Sequence, residues 1–255
     1  FGPLIQPTEH DPKNDEHVAG TAGEFGMKSP LGYEEAGVGG TFVKIGVGIL
    51  RRMDDRPYFF RRTYPVVDAG QWEIEAESHR VVMIERLHGP NGWAYVYRTR
   101  VQLLDAQWGF VIDRQLTNDG KAPIVTDYYN HNFTVLDGQP VSPEYKLVLV
   151  PEHHVTQERE VPAWVQFAGN RLRPTDAFAP ENVLFLPLGY EQAPGRRWQA
   201  TVSHTQGAAI RLRHVPEPDR VVIYLTRSYL SVEPFIGLNL KPGESVTWSA
   251  RYELQ

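Results

Sequence analysis

The chain has 255 residues, of which 41% are hydrophobic and 22% are charged, so its composition is that of a globular protein with a sizeable core. The 26 basic and 31 acidic residues give a formal net charge of -5, which argues against a nucleic acid partner. The absence of cysteine excludes disulfides, thiolate metal sites and a cysteine nucleophile.

Residues 1–40 differ in composition from the rest of the chain. They are rich in Gly, Pro, Glu and Asp, and they predict a loop-rich lead-in. Because the chain starts at Phe1 rather than Met, we expect that an upstream segment has been removed, and both a cytoplasmic and an exported protein stay open. No apolar run of the ~18 residues that a membrane helix needs is present, so no membrane partner is expected. No linker or repeat divides the chain, and residues 1–255 are predicted to form a single domain.

Alternation of apolar and polar residues is the main pattern after residue 40. Its clearest example is the run 93–104, in which Trp93, Tyr95 and Tyr97 share one face, as in a strand with one buried side. The 20 prolines and 22 glycines interrupt the chain too often for long helices. The pattern predicts an all-β fold with few short helices and with strands at 41–48, 71–76, 80–86, 93–104, 107–116, 122–127, 145–150, 163–168, 197–203, 208–213, 220–227 and 245–253.

A cluster of polar and aromatic residues, 127–133, follows the strand predicted at 122–127. It places His131 near a strand end, where a sheet can present a general acid or base to a cleft, with Tyr129 and Asn130 beside it. The alternative is a histidine whose hydrogen bonds are satisfied by these neighbours. The residues alone leave both interpretations open.

Glu233 lies in a largely apolar run near the C-terminus, residues 231–236. If that run is buried, loss of hydration raises the pKa of the carboxyl group and makes it a usable general base. The alternative is a carboxylate that is exposed to water on an edge strand or turn, which is the commoner environment of glutamate.

Lys44, Arg51 and Arg52 form a cationic group near the end of a predicted strand. Alternation places Lys44 and Arg52 on one face and Arg51 on the other, so the group could clamp a carboxylate or sugar hydroxyls, unless it is ordinary solvated charge. Trp93 is one of several aromatic residues that suit stacking on a sugar ring and equally suit a β core. No compact metal-binding or phosphate-binding motif is present. A calcium site stays open, because oxygen ligands contributed by separate loops leave no compact motif.

Several motifs follow one another in a distinctive order between roughly residues 80 and 140. The aromatic-alternating strand 95–103 is followed by Trp108-Gly109-Phe110, by the hairpin Thr117-Asn118-Asp119-Gly120 and by Asn130-His131-x-Phe. Near the end of the chain come Val232-Glu233-Pro234 and Leu240-Lys241-Pro242-Gly243-Glu244. This order resembles the aldose 1-epimerase (galactose mutarotase) superfamily.

The resemblance implies a large β-sandwich with a sugar cleft, in which His131 takes the position of the general acid and Glu233 that of the general base. Mutarotation removes the proton of the anomeric hydroxyl and protonates the ring oxygen. A carboxylate and an imidazole on opposite sides of the sugar can do both without a metal or cofactor. We therefore expect an enzyme that interconverts the anomers of a mono- or oligosaccharide. Its expected substrate-binding residues are Asn130, Tyr129, Lys44, Arg51, Arg52 and Trp93.

Two other functions stay open on the same fold. In a polysaccharide (uronate) lyase or epimerase, the cations near residue 50 bind a uronate carboxylate while His131 or Tyr129 removes a proton from the neighbouring carbon. In a non-catalytic carbohydrate-binding module, an aromatic cleft stacks on a polysaccharide and His131 only donates a hydrogen bond. The sequence leaves the sugar and the oligomeric state open.

Overall fold

Antiparallel β-strands dominate the computed structural model, which describes residues 20–60, 62–156, 160–191 and 197–255. Within these ranges the one helical element is a 3-10 turn at Pro90–Gly92. The all-β prediction is therefore confirmed. In chain order the strands are β1 (Gly20–Phe25), β2 (Thr41–Lys44), β3 (Gly48–Arg51), β4 (Val66–Asp68), β5 (Gln71–Ala76), β6 (Arg80–His88), β7 (Ala94–Leu103), β8 (Gly109–Asn118), β9 (Ile124–Thr134), β10 (Tyr145–Val150), β11 (His154–Val155), β12 (Val165–Ala168), β13 (Arg171–Pro174), β14 (Leu184–Gly189), β15 (Gln199–His204), β16 (Ala209–Val215), β17 (Arg220–Leu225), β18 (Leu230–Leu240) and β19 (Ser245–Leu254).

The strands form two large sheets and one small one. The six-stranded sheet has the order β1-β9-β18-β17-β14-β11, and the ten-stranded sheet has the order β12-β13-β10-β15-β16-β19-β8-β7-β6-β5. Apolar clusters join the two, and in the larger one Leu186, Ile223 and Val232 from the first sheet pack with Leu212 and Tyr252 from the second. The two sheets therefore pack face to face as a sandwich. The third sheet, β2-β3-β4, has three strands.

Strand β9 carries side chains on both faces of the six-stranded sheet. Successive residues of a strand point to opposite faces, and on β9 Tyr128 and Asn130 point inwards. The Asn130 amide donates a 2.6 Å hydrogen bond to the hydroxyl of Tyr252, which belongs to the opposite sheet. Tyr129 and His131 therefore project from the outer face of the six-stranded sheet.

The lead-in contributes a strand to this sheet. β1 pairs with β9, and Glu24 lies directly across from Tyr129. Residues 26–40 do form turns and loops, as the composition predicted, whereas residues 1–19 lie outside the described residues. The short run Gly20–Phe25 contains no pair of β-branched residues, so its own sequence favours a strand only weakly. It forms a strand because it pairs with β9.

Two further departures from the predicted strands bear on the site. The predicted strand 41–48 is divided by a turn at residues 45–47, in which Gly46 has a positive φ of 82°, and β3 begins at Gly48 with a φ of 130°. β18 has no counterpart in the predicted set. Its first seven residues are all buried, so it lacks the alternation of a strand with one exposed face.

Candidate functional site

The candidate site is centred on His131 of β9. The register of β18 on β9 places Glu233 directly across from it, on the same outer face. Glu233 Oε1 is 2.7 Å from His131 Nδ1, and it also accepts a 3.1 Å hydrogen bond from the hydroxyl of Ser231. The two residues that the sequence singled out separately are therefore a hydrogen-bonded pair.

Glu24 of β1 lies on the other side of the imidazole. Its Oε2 is 3.7 Å from His131 Nε2 and accepts a 2.5 Å hydrogen bond from the hydroxyl of Tyr129. The side chains of His131 and Glu24 are 22% and 23% exposed, whereas that of Glu233 is only 6% exposed. The Nε2 edge of the imidazole, rather than the Nδ1 edge, is therefore the one beside the more accessible carboxylate.

The two carboxylates control the charge of the site. Burial opposes a positive charge on His131, but the hydrogen bond to Glu233 and the nearby negative charge of Glu24 outweigh it and raise the pKa of the imidazole to about 9. Burial likewise opposes the charge on Glu24, yet the imidazole of His131 beside it and the charge and hydrogen bond of Lys44 lower its pKa to about 2. At neutral pH the imidazole is protonated and Glu24 is ionised.

Lys44 closes the site on the side of the three-stranded sheet. Its Nζ forms a 2.8 Å ion pair with Glu24 Oε1 and donates a 3.0 Å hydrogen bond to the hydroxyl of Tyr58. The ammonium group also contacts the carbonyl of Gly26 at 3.4 Å, and the residue is only 5% exposed. The charge of Lys44 is therefore directed at Glu24 rather than at solvent.

Aromatic rings hold the site residues in place. Tyr129 stacks on Phe235 with ring centroids 4.5 Å apart, and the guanidinium of Arg220 lies 3.8 Å from the centre of the Phe235 ring. His131 stacks on Phe133 at 4.8 Å. These contacts restrict the imidazole and the Tyr129 hydroxyl to one orientation.

The other predicted substrate-binding residues lie elsewhere. Asn130 points into the sandwich, because it neighbours His131 in a strand. Arg51 is exposed and donates to the carbonyl of Gly39. The Arg52 guanidinium donates to four backbone carbonyls of residues 33, 36, 54 and 55. Trp93 packs in an apolar cluster, and its indole nitrogen donates to the carbonyl of Pro123.

Sequence reasoning missed Glu24, since it belongs to the segment interpreted as a loop-rich lead-in. The only local signal is the alternation of Thr21, Gly23 and Phe25 with Ala22 and Glu24, which is too short to distinguish a strand from a loop. Only the pairing of β1 with β9 brings Glu24 to His131.

The described ranges contain no group of three or more His, Asp or Glu side chains arranged to hold a metal ion. They also contain no helix that is long and apolar enough to cross a membrane. What the geometry offers is one imidazole with a buried carboxylate at Nδ1 and a more accessible carboxylate near Nε2, an arrangement that suits proton transfer.

No protein-family model matches the chain, and no curated protein matches its sequence. Solved structures do resemble it. A galactose mutarotase-like protein from Lactobacillus casei ATCC 334 is 14% identical with a TM-score of 0.58, over 92% of this chain and 85% of that one. A galactose mutarotase-like protein from Clostridium acetobutylicum is 11% identical with a TM-score of 0.58, over 96% and 81%.

A third structure, the GalM/aldose epimerase homologue from C. elegans, is 14% identical with a TM-score of 0.53, over 91% of this chain and 87% of that one. Likeness at these identities establishes the fold, because folds persist after sequences and functions have diverged. The chain therefore has the galactose mutarotase-like β-sandwich fold that the sequence resemblance implied.

Proposed function

We propose that the chain is an aldose 1-epimerase-like enzyme that interconverts the anomers of a free sugar by acid–base catalysis at His131. The observation that supports this function is the imidazole held between Glu233 and Glu24 on the outer face of a mutarotase-like sandwich. Anomer exchange needs one group that accepts the proton of the anomeric hydroxyl and one that protonates the ring oxygen.

The proposed roles of the two carboxylates follow from their distances to the imidazole. The resemblance implied that Glu233 is the base across the sugar from His131, but 2.7 Å between the two side chains leaves no space for a sugar. We propose that Glu233 orients the imidazole and supports its positive charge, as a carboxylate does behind a catalytic histidine. Glu24 then accepts the proton of the anomeric hydroxyl.

Glu24 and the Nε2 edge of His131 suit the two oxygens of the anomeric carbon. Those oxygens are bonded to the same carbon, so the acid and the base must be close neighbours. A distance of 3.7 Å between Glu24 Oε2 and His131 Nε2 lets one group reach the hydroxyl while the other reaches the ring oxygen. The protonated imidazole and the ionised carboxylate are also the states that these roles require.

Three variants test the roles by polarimetry on a panel of free aldoses. We expect His131→Gln and Glu24→Gln to lower the anomerisation rate by about 100-fold or more, since each removes a proton-transfer group. Glu233→Gln should lower the rate less, and it should move the alkaline limb of the pH profile to lower pH because the imidazole loses a charge partner.

Glu144→Gln is the matched control. Glu144 also contacts a histidine, with its Oε2 3.2 Å from His204 Nε2, but neither residue belongs to the site. Its rate should equal that of the parent chain. A full rate in His131→Gln would contradict the proposal, and a loss in Glu233→Gln as large as in Glu24→Gln, with no pH shift, would return the base role to Glu233.

Adding polyuronates and neutral polysaccharides to the panel separates the alternatives. The lyase alternative needs free cations near residue 50. The Arg52 guanidinium, however, donates to backbone carbonyls, and Lys44 forms an ion pair with Glu24. Ultraviolet absorbance that rises on polyuronates, without faster anomerisation, would favour the lyase. Binding of a sugar without turnover would favour the carbohydrate-binding module.

A further inference from the structure

The outer face of the ten-stranded sheet carries a row of cations on the side of the sandwich opposite to His131. Residues that lie directly opposite each other on neighbouring strands share a face of the sheet. The register pairs Arg98 with Gln115, Gln115 with Thr247, and Arg251 with Arg213. We call this surface the arginine face. It is defined by Arg98, Arg100, Arg211, Arg213 and Arg251.

The arginine face contains two adjoining depressions of about 340 and about 690 Å³. Arg98 and Arg100 line the first, Arg213 and Arg251 line the second, and Ser249 lines both. Together they form one groove that crosses β7, β8, β19 and β16. Three strand spacings separate its ends, so it is about 14 Å across.

The cations of the groove are only partly neutralised. The carboxylate of Glu253 forms ion pairs with Arg213 and Arg251 at 2.9 Å each and with Arg211 at 3.4 Å. Arg100 pairs with Asp113. Four of the five guanidinium groups of the arginine face thus share two carboxylates, and Glu217 also lines the second depression, in a chain whose formal net charge is -5.

Arg213 and Arg251 lie directly opposite each other on neighbouring strands, where like charges are destabilising. Their side chains are still 36% and 41% exposed, so their donors can reach a ligand in the groove. An anion bound there would add to the neutralisation that Glu253 already provides.

We propose that the arginine face binds an acidic polysaccharide. Its carboxylate or sulfate groups pair with the arginines at the two ends of the groove, in the bidentate geometry that guanidinium groups favour. Its hydroxyl groups bond to Ser249, Thr247 and Gln115, which lie between those ends. The site is separate from the proposed catalytic site and goes beyond the anomerisation function.

The lining favours a saccharide over a nucleic acid. Nucleic acid grooves stack bases on exposed aromatic rings, but the two tryptophans that line these depressions, Trp198 and Trp248, are only 1% and 3% exposed.

Affinity electrophoresis of the full chain through gels that contain polygalacturonate or heparin tests the proposal, with dextran as the neutral polymer. We expect retardation by at least one of the two polyanions, decreasing as salt rises, and none by dextran. Arg213→Gln/Arg251→Gln should weaken binding about tenfold or more. Arg98→Gln, at the other end of the groove and away from Glu253, should weaken it by a smaller factor.

Two further variants calibrate the result. Glu253→Gln should strengthen retardation, because it frees three guanidinium groups. Lys121→Gln/Lys241→Gln removes two exposed charges in turns away from the groove, and it should bind like the parent chain. The arginine variants should keep the parent anomerisation rate, so this proposal and the proposed function can fail separately.

The proposal is overturned by any of three results. These are no retardation by either polyanion at low salt, an equal loss of binding in the lysine control, or tighter binding of duplex DNA than of the polysaccharides.

Discussion

The imidazole of His131 has a carboxylate on each side, and this gives the site a charge state that neither partner alone would hold. Glu233 contacts Nδ1 at 2.7 Å, and Glu24 lies 3.7 Å from Nε2. Each negative charge stabilises the protonated ring, and the ring in turn stabilises the ionised form of Glu24. The charge states of His131 and Glu24 thus depend on each other, with Lys44 also favouring the ionised form of Glu24.

The pH dependence of the rate should report this pair. With the pKa of His131 at about 9 and that of Glu24 at about 2, we expect a rate that is level through neutral pH. It should fall as pH rises through about 9, where the imidazole loses its proton. The measurement is kcat/KM by polarimetry, corrected for the buffer-catalysed rate. A decline centred near the ordinary histidine pKa of 6.5 would contradict the charge state inferred for His131.

At the scale of the element, β1 is what brings Glu24 to the imidazole, and Gly23 is what lets β1 lie there. A Cβ atom at Gly23 would lie 2.3 Å from the hydroxyl of Tyr128, a side chain buried in the sandwich. Strand β1 therefore depends on a residue without a side chain at this position.

Gly23→Ala should displace β1 and destabilise the protein by about 1–3 kcal/mol, as overpacking does elsewhere. The rate should fall as well, because Glu24 moves with its strand. Urea denaturation and polarimetry measure the two effects. Gly37→Ala is the control, since a Cβ atom there would meet nothing within 4 Å; a Gly23→Ala variant as stable and active as this control would show that β1 does not need the close approach.

The elements also show where sequence patterns succeed and fail. Strands β5 to β8 and β15 to β17 were predicted close to their observed bounds, because each pairs alternation with clear turns. Strand β18 carries Glu233 but was not predicted, because burial on both faces removes the alternation. Strand β1 has two glycines among its six residues and lies in a segment rich in Gly and Pro, so its own residues favour a strand only weakly.

At the scale of the whole molecule, Glu85 connects two sheets. This buried residue of β6 accepts hydrogen bonds from the hydroxyl of Tyr95 and from the backbone N–H of Gly46, at 2.8 and 3.0 Å. Gly46 lies in the turn between β2 and β3, so Glu85 ties the three-stranded sheet to the ten-stranded one. Burial raises the pKa of Glu85 from 4.5 to about 7, despite these donors.

Because folding raises the pKa of Glu85, the stability of the protein should depend on pH. A carboxyl group whose pKa is raised on folding favours the folded state below its unfolded value and loses this contribution as pH rises through the folded value. The free energy of unfolding should therefore decrease between pH 4.5 and about 7, by on the order of 3 kcal/mol from this group. In Glu85→Gln that part of the decrease should vanish, as measured by urea denaturation at several pH values. An identical pH dependence in both proteins would contradict the assignment.

The sequence by itself determined the all-β class, most of the strands of the ten-stranded sheet, and His131 and Glu233 as the residues to examine. These follow from local alternation, turn residues and short motifs, which are properties of neighbouring positions. Only the tertiary structure decided that the two side chains touch, that Glu24 and Lys44 complete the site, and that Asn130 and Arg52 lie outside it. Strand order and register bring distant segments together, and no local pattern encodes the distance between two side chains on different strands.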